Sequence, residues 1–551
     1  MIKKKKVFIP FLVLLALSIP AILWLLARGF YEPHDLHHVA DIYQMAQAIE
    51  SGQIPPRLGP DFSFGYGYPL FNFYYVLPFY LGAFFFFALG SLIVSFKLVF
   101  LISAVLSVFG MYLFLREFVE KFPAIVGSIL FLYTPYRAVE IYVRGAMGEA
   151  LALSLLPFVA WAIVRVIKRP EISVIAGASL ILALFLLSHN YLWILAAPWL
   201  ALLILLLVKD QKEKVKRLIR LILVGVLGAG LSIYWWLPAL FENKLVSSTT
   251  PFPLIDHFPF IKQLIIPSWG YGSSVWGPGD EISFQIGIVN LAVFLLSLFL
   301  LVFFRKLFKD RKIYLVSLWA LGGFFVTVFM MNIRSLFIWK LIPFYDFIQF
   351  PWRLLFLTTF FTAVLAGVIA QVLPKRQGKI IGFLIIVASI AFTFTYFAPS
   401  QAFYKTDDEY LARFFEDKTY SEDYLLLPNW VDERPTSLPI SRIEAVGDVQ
   451  VENIEEINPV HWKANVIAPE TSKITFHAYY FPGWFAEVDG ERTVIEPGKP
   501  HGQIEIVVSE GEHIVEFYWA ETPLRKTADL ISLVSLLLLI GFFAKGRVKK
   551  K

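Results

Sequence analysis

The chain has 551 residues, 57% of them hydrophobic and only 17% charged, with a mean hydropathy of +0.65. That balance excludes a single soluble globule and points to a polytopic α-helical membrane protein. The formal net charge of +6 comes from basic clusters between apolar stretches, so it reads as a topology signal and not as a nucleic-acid surface. The absence of cysteine excludes disulfides, zinc–thiolate sites and a thiol nucleophile.

In chain order, Lys3 to Lys6 precede an apolar stretch, Val7 to Ala27, that resembles a signal peptide. At about 20 residues it is long enough to span, and no small-residue cleavage site follows, so it is expected to stay as a span. Further helical spans are expected over 95–115, 122–137, 149–168, 172–188, 190–208, 218–240, 284–304, 313–331, 354–373, 379–398 and 527–544. The total is about 12 crossings, or 13 if 70–90 also crosses. The linkers rich in Lys and Arg, among them Arg116 to Lys121, Lys209 to Arg220 and Lys545 to Lys551, then belong to the cytoplasmic side with both termini. Leu70 to Leu89 is long enough to cross, but a crossing there would place Arg116 to Lys121 and Arg165 to Arg169 outside. Its Pro69, Pro78 and aromatic run suit a re-entrant or outer-leaflet element instead.

This topology makes residues 1–398 a transmembrane domain with extracytoplasmic loops 28–94, 138–148, 241–283 and 332–353. Residues 399–526 form an extracytoplasmic β-rich domain, and 527–551 a last helix with a basic cytoplasmic tail. Within the β-rich part, Tyr420 to Pro439 reads as a loop-rich lead-in. Strand-like runs follow at Ser441 to Val446, Trp462 to Ile467, Lys473 to Tyr480, Gln503 to Val508 and His513 to Trp519. Turns fall at Asp489-Gly490 and Glu510-Gly511-Glu512, and a small β-sandwich is expected.

The polar residues gather in the outer segments. In Glu32-Pro33-His34-Asp35-Leu36-His37-His38-Val39-Ala40-Asp41, a helix over 34–45 would put His34, His37, His38 and Asp41 on one face with Asp35 at its rim. Such a face could bind a divalent metal or supply a general base, or be the wet side of an interfacial helix. Arg144 lies five residues before Glu149, so a phosphate clamp and a metal-binding or acceptor-orienting carboxylate stand together; an interfacial Arg and a helix-start Glu are the plain alternative. His189, between Ser188 and Asn190 at a tight outer turn, is either a site residue or a satisfied buried histidine. Arg353 follows Pro351-Trp352 beside Asp346 and Gln349 and could grip a lipid phosphate or simply anchor a span. Glycines between aromatics at Trp269 to Gly272 and Trp276 to Gly279 suit a mobile lid or an aromatic belt loop. No Walker loop and no Gly-x-Ser-x-Gly elbow occurs, which disfavours a nucleotide-driven engine.

The order span, outer loop with Asp35 and His38, Gly52-Gln53-Ile54-Pro55-Pro56-Arg57, then Gly65-Tyr66-Gly67-Tyr68-Pro69-Leu70-Phe71-Asn72-Phe73-Tyr74 resembles the pyruvoyl-tetrahydropterin-synthase-related membrane family. That label describes no activity. The family in turn resembles the GT-C superfamily of integral-membrane glycosyltransferases. Tyr480 to Gly490 is similar to the outer β-domain of YfhO-type bacterial membrane proteins. The resemblance implies a sugar donor on a polyprenyl phosphate or pyrophosphate, a glycan, lipid or wall-polymer acceptor, and inverting attack at the outer membrane face. It implies Asp35, with Glu32 and Asp41 as neighbours, as base or metal-associated carboxylate, His38 in support, and Arg144 with Glu149 as the second-loop pair. Arg353, His189, His34, Asp41 and Tyr68 are the expected substrate-binding residues, and Asp35, His38 and Glu149 the candidate ligands of a divalent Mg or Mn. A Glu stands where an Asp-x-Asp pair is usual, and Trp235-Trp236 is followed by Leu237, which disfavours asparagine glycosylation. A lipid or polysaccharide flippase and a non-catalytic envelope assembly factor are the rival readings.

Overall fold

A computed structural model describes residues 2–31, 33–247, 252–342, 345–402, 404–415 and 426–548. Among these, eight helices are long and apolar enough to cross a membrane, from Ile9–Leu26 to Pro523–Gly546. A ninth candidate is a bent pair, Lys121–Leu132 and Pro135–Arg144, meeting at 50°. Eleven of the twelve expected spans coincide with one helix each, and 122–137 falls on the bent pair. Three of those eleven, Ile172–Ser188, Leu192–Val208 and Ile288–Phe303, are shorter than the other eight; a 17-residue helix rises about 26 Å, against about 30 Å of hydrocarbon. The stretch 70–89 is broken into Leu70–Phe73 and Leu77–Leu89, with Pro78 in the first turn of the second piece. Thirteen residues rise only about 20 Å, too little to cross unaided.

The helices Met147–Lys168 and Pro351–Val372 are the most enclosed of the bundle, and Pro523–Gly546 the most peripheral. The enclosed pair also begins with charged residues, Glu149 and Arg353. The bend in the 121–144 pair has a local cause. Pro135 lacks an N–H and forces Thr134 into an extended conformation, and the Thr134 side chain accepts from the backbone N–H of Arg137 to start the next turn. Beyond it a π-helix, Val139–Arg144, runs to Gly145, whose φ of 70° stops it. Residues 138–148, expected as a loop, are therefore helical as far as Arg144 and buried throughout.

The C-terminal region is an antiparallel sandwich. Its strands are β1 Ile443–Ala445, β2 Gln450–Asn458, β3 His461–Ala468, β4 Ser472–Tyr479, β5 Trp484–Val488, β6 Glu491–Thr493, β7 Glu496–Pro497, β8 Gln503–Val508 and β9 Gly511–Trp519. One sheet has the order β1-β4-β8-β7 and the other β2-β3-β9-β5-β6. The five expected runs are β1, β3, β4, β8 and β9. Asp489 and Gly490, with φ of 55° and 83°, make the two-residue left-handed turn that closes the β5–β6 hairpin. The turn before β9 carries the chain from one sheet to the other. Phe476 and Phe517 stack in the core at 4.6 Å, and Leu58, from the segment after the first span, is buried in the same cluster.

That segment ties the sandwich to the bundle. The Tyr66 hydroxyl meets His477 Nδ1 at 2.8 Å. Arg57 is buried, with Nε on Glu521 at 3.2 Å and Nη2 on Asp529 at 2.9 Å. Arg525 sets its Nε on Glu242 at 3.0 Å, and Trp430 of the lead-in packs on Tyr480 at 4.7 Å. Residues 420–425 of the expected lead-in lie outside the described residues.

Candidate functional site

Four separate stretches converge at the head of the enclosed helices. The 34–37 stretch is turn, not helix, and the helix begins at His38. The backbone N–H groups of His34 and Asp35 donate to the carbonyls of Val143 and Arg144, at 2.9 and 2.6 Å, which ties this turn to the end of the 139–144 helix. His34 and Asp35 therefore leave the helix face that periodicity assigned to them. Gly145 permits this approach, because a Cβ there would lie 2.6 Å from Pro33.

Glu149 is the hub. Its Oε1 receives Arg144 Nη1 at 2.8 Å and Arg353 Nε at 2.8 Å, and its Oε2 accepts the Tyr136 hydroxyl at 2.8 Å. His189 Nε2 faces the same Oε1 at 3.8 Å. The backbone N–H of Tyr191 donates to His189 Nδ1 at 3.2 Å, so Nε2 carries the proton of the neutral ring. Burial pulls the His189 pKa down, and the Glu149 carboxylate opposes it. Arg144 also reaches Glu140 at 3.1 Å and Asp35 at 3.5 Å, with its guanidinium 4.9 Å from the Trp352 ring centre. Arg353 donates from Nη1 to the Ile348 carbonyl at 2.5 Å and to Gln349 at 3.2 Å.

Asp35, Glu140 and Glu149 thus stand against two guanidiniums. Glu140 and Glu149 are closed in, whereas the Asp35 side chain is 22% exposed. Burial alone would raise its pKa; Arg144, His34 and His38 outweigh it and hold the carboxyl below its ordinary value. His34 contacts Asp35 at 3.2 Å through Nδ1 and Ser273 at 2.8 Å through Nε2. Through Ser273 the Gly-rich stretch that begins at Trp269 touches the edge of the site, while Trp269 itself stacks on Tyr396 at 4.3 Å.

His38 belongs to a neighbouring group. Its Nδ1 lies 3.0 Å from Asp41, and its Nε2 lies 3.2 Å from the Tyr75 hydroxyl. The Tyr75 ring stacks on His189 at 5.2 Å and lies over Gly148, where a Cβ would come within 2.4 Å of it. Tyr75 is therefore the link between the two groups.

The structure gathers Asp35, His34, Arg144, Glu149, Arg353 and His189, and sets His38 and Asp41 beside them. Tyr68 pairs with Gly59 in a β-bridge and packs on Phe62 at 5.7 Å, in the stretch that leads to the sandwich. Glu32 and the Asp346 side chain lie outside the described residues. Four neighbours escaped the sequence reading: Glu140, Tyr136, Tyr75 and Trp352. Only Glu140 carried a local signal, its i,i+4 spacing to Arg144.

A model of one membrane-protein family matches residues 71–256, which include Tyr75, Tyr136, Glu140, Arg144, Glu149 and His189. Residues 71–256 match the family described as 6-pyruvoyl-tetrahydropterin synthase related domain, membrane protein. The family segment thus holds the hub of the cluster, while Asp35 and Arg353 reach it from either side in sequence. No curated protein matches the chain.

Proposed function

We propose that the chain is an inverting membrane glycosyltransferase of GT-C type. It moves a sugar from a polyprenyl-phosphate-type carrier to a glycan, lipid or wall-polymer acceptor on the extracytoplasmic side. The basic linkers support both termini inside and the sandwich outside. One observation carries the reading: a carboxylate at a solvent edge, Asp35, is bound to Arg144, which in turn is bound to the buried hub Glu149 with Arg353.

The acceptor hydroxyl attacks the anomeric carbon as the bond to the phosphate oxygen breaks, and that electron pair stays on the phosphate. Asp35 orients the hydroxyl as a hydrogen-bond acceptor. With its pKa depressed, it takes the proton only once bond formation has made the acceptor oxygen strongly acidic. Arg144 Nη2 is the natural phosphate donor, since its 3.5 Å contact with Asp35 is the longest of its ion pairs and lies at the open edge. An incoming phosphate oxygen displaces that contact and gains a charge-assisted hydrogen bond. Glu149, Glu140 and the Trp352 ring hold the guanidinium in place.

The divalent ion implied by the GT-C resemblance does not fit Asp35, His38 and Glu149 as one ligand set. Both Glu149 oxygens are engaged by Arg144, Arg353 and Tyr136, and two guanidiniums on Oε1 repel a cation. No step is routed through a metal there. The test is transfer from radiolabelled polyprenyl-phosphate sugars by purified protein in nanodiscs. Asp35→Asn lowers the rate about 10²- to 10⁴-fold; full transfer by Asp35→Asn and by Glu149→Gln would remove the assignment.

A further inference from the structure

We propose that His37, His38 and Asp41 form a binding site for one divalent transition-metal ion, of the zinc type, next to the arginine–carboxylate cluster and distinct from it. The inference is independent of the transferase reading. Three donor atoms, one from each residue, lie within 4.8 Å of one another. His38 Nδ1 is 3.0 Å and His37 Nε2 3.7 Å from the same oxygen, Asp41 Oδ2. In a tetrahedral zinc site with nitrogen and oxygen ligands at 2.0–2.1 Å, neighbouring ligand atoms stand about 3.3 Å apart. The two edges to Asp41 straddle that length, and the edge between the imidazoles lies within 4.8 Å, so metal entry draws the two rings together over the shared carboxylate.

Local structure explains why the donors converge. His37 is the last residue before the helix, and His38 and Asp41 sit in its first turn. The i,i+3 and i,i+4 spacings bring both imidazoles over one carboxylate. Burial favours an ion as well. His38 is fully enclosed and Asp41 nearly so, while the His37 side chain is 18% exposed and provides the way in. The Tyr75 hydroxyl at 3.2 Å from His38 Nε2 is the outer partner that a ligating histidine needs, fixing the ring and leaving Nδ1 for the metal. Two imidazoles and one carboxylate select Zn²⁺, Co²⁺ or Mn²⁺ over Mg²⁺ or Ca²⁺, which prefer all-oxygen shells. Among the described residues the ion-pair partners of Asp41 are two imidazoles and no guanidinium, in contrast to Glu149.

The experiment uses the full chain, purified in detergent and stripped with chelator, and titrates it with Co²⁺ as a spectroscopic probe. One equivalent binds, with the intense visible absorption of a low-coordinate site, and Zn²⁺ displaces it whereas a large excess of Mg²⁺ does not. His37→Ala, the least enclosed member, weakens Co²⁺ binding at least tenfold and keeps the folded elution profile; Asp41→Asn abolishes the absorption. Asp35→Asn keeps one equivalent and the same spectrum, which separates this site from the transferase assignment. A hydrogen-bonded His–Asp triad only, shown by no saturable Co²⁺ uptake or by uptake unchanged in His37→Ala and Asp41→Asn, overturns the proposal.

Discussion

Asp35 and Asp41 are six residues apart and keep opposite company. Asp35 faces Arg144, a cation at every accessible pH, in addition to His34, and sits at a solvent edge. Asp41 faces two imidazoles and is enclosed. An arginine partner locks the carboxylate in its charged form, so the surrounding charge is fixed. Imidazole partners leave the charge open to protons or to a metal ion. The start of the 38–50 helix divides a permanently charged site from a switchable one.

The largest effect expected from breaking this contrast comes at Arg144. Arg144→Ala strips Glu140, Glu149 and Asp35 of a common cation, and removing one partner of a buried pair costs about 3–5 kcal/mol. The measurement is thermal unfolding in detergent at neutral pH. Arg144→Lys restores charge but not the fork that serves three carboxylates, so it recovers only part of the loss. If Arg144→Ala melted with the wild type, the cluster would not be a buried ion network.

Acid separates the two groups next. Burial, then His37, pull the His38 pKa down despite Asp41 and Asp35. The unfolded chain then binds a proton that folded His38 refuses, and stability falls as pH drops below the unfolded value of about 6.5. The Asp35 pKa is lowered too, but for a carboxylate this favours the charged form, so its contribution is complete above about pH 4 and is lost only in stronger acid. Chelator-treated protein therefore loses stability between pH 7 and 5, and His38→Gln flattens that slope, whereas Asp35→Asn, which removes a charge that favours protonated His38, does not flatten it. An unchanged slope in His38→Gln would assign the loss to another buried histidine, such as His189 or His257.

Hydropathy alone is enough to locate the apolar helices, because crossing the hydrocarbon demands long apolar runs wherever they lie. The missed β2 shows where pattern fails. Its ladder with β3 shifts register twice, between Glu452 and Glu455 and between Glu456 and Asn458, and each bulge resets the alternation that marks a strand. The site was legible as residue types and not as partnerships. Asp35, Arg144, Glu149 and Arg353 all stood out as charges beside apolar runs. That Arg353 reaches Glu149 across 204 positions is a fact of packing. Glu140 was overlooked because 138–148 reads as a loop, and only the π-helix after Pro135 turns its spacing to Arg144 into a contact.

The smallest predicted effect separates the hydroxyl of Tyr75 from its ring. Tyr75 touches His38 with its hydroxyl and His189 with its ring, and these contacts can be removed separately. Tyr75→Phe keeps the stack and deletes the hydroxyl, a loss of about 1 kcal/mol. It leaves His38 Nε2 without that partner, so the ring has less to orient it. If the hydroxyl serves the histidine group alone, the substitution changes the pH 7 to 5 stability slope of that group and leaves the Arg144→Ala penalty unaltered. A double-mutant cycle between Tyr75→Phe and His38→Gln then shows coupling, while one between Tyr75→Phe and Arg144→Ala adds within about 0.5 kcal/mol. Additivity in both cycles would make Tyr75 a packing residue.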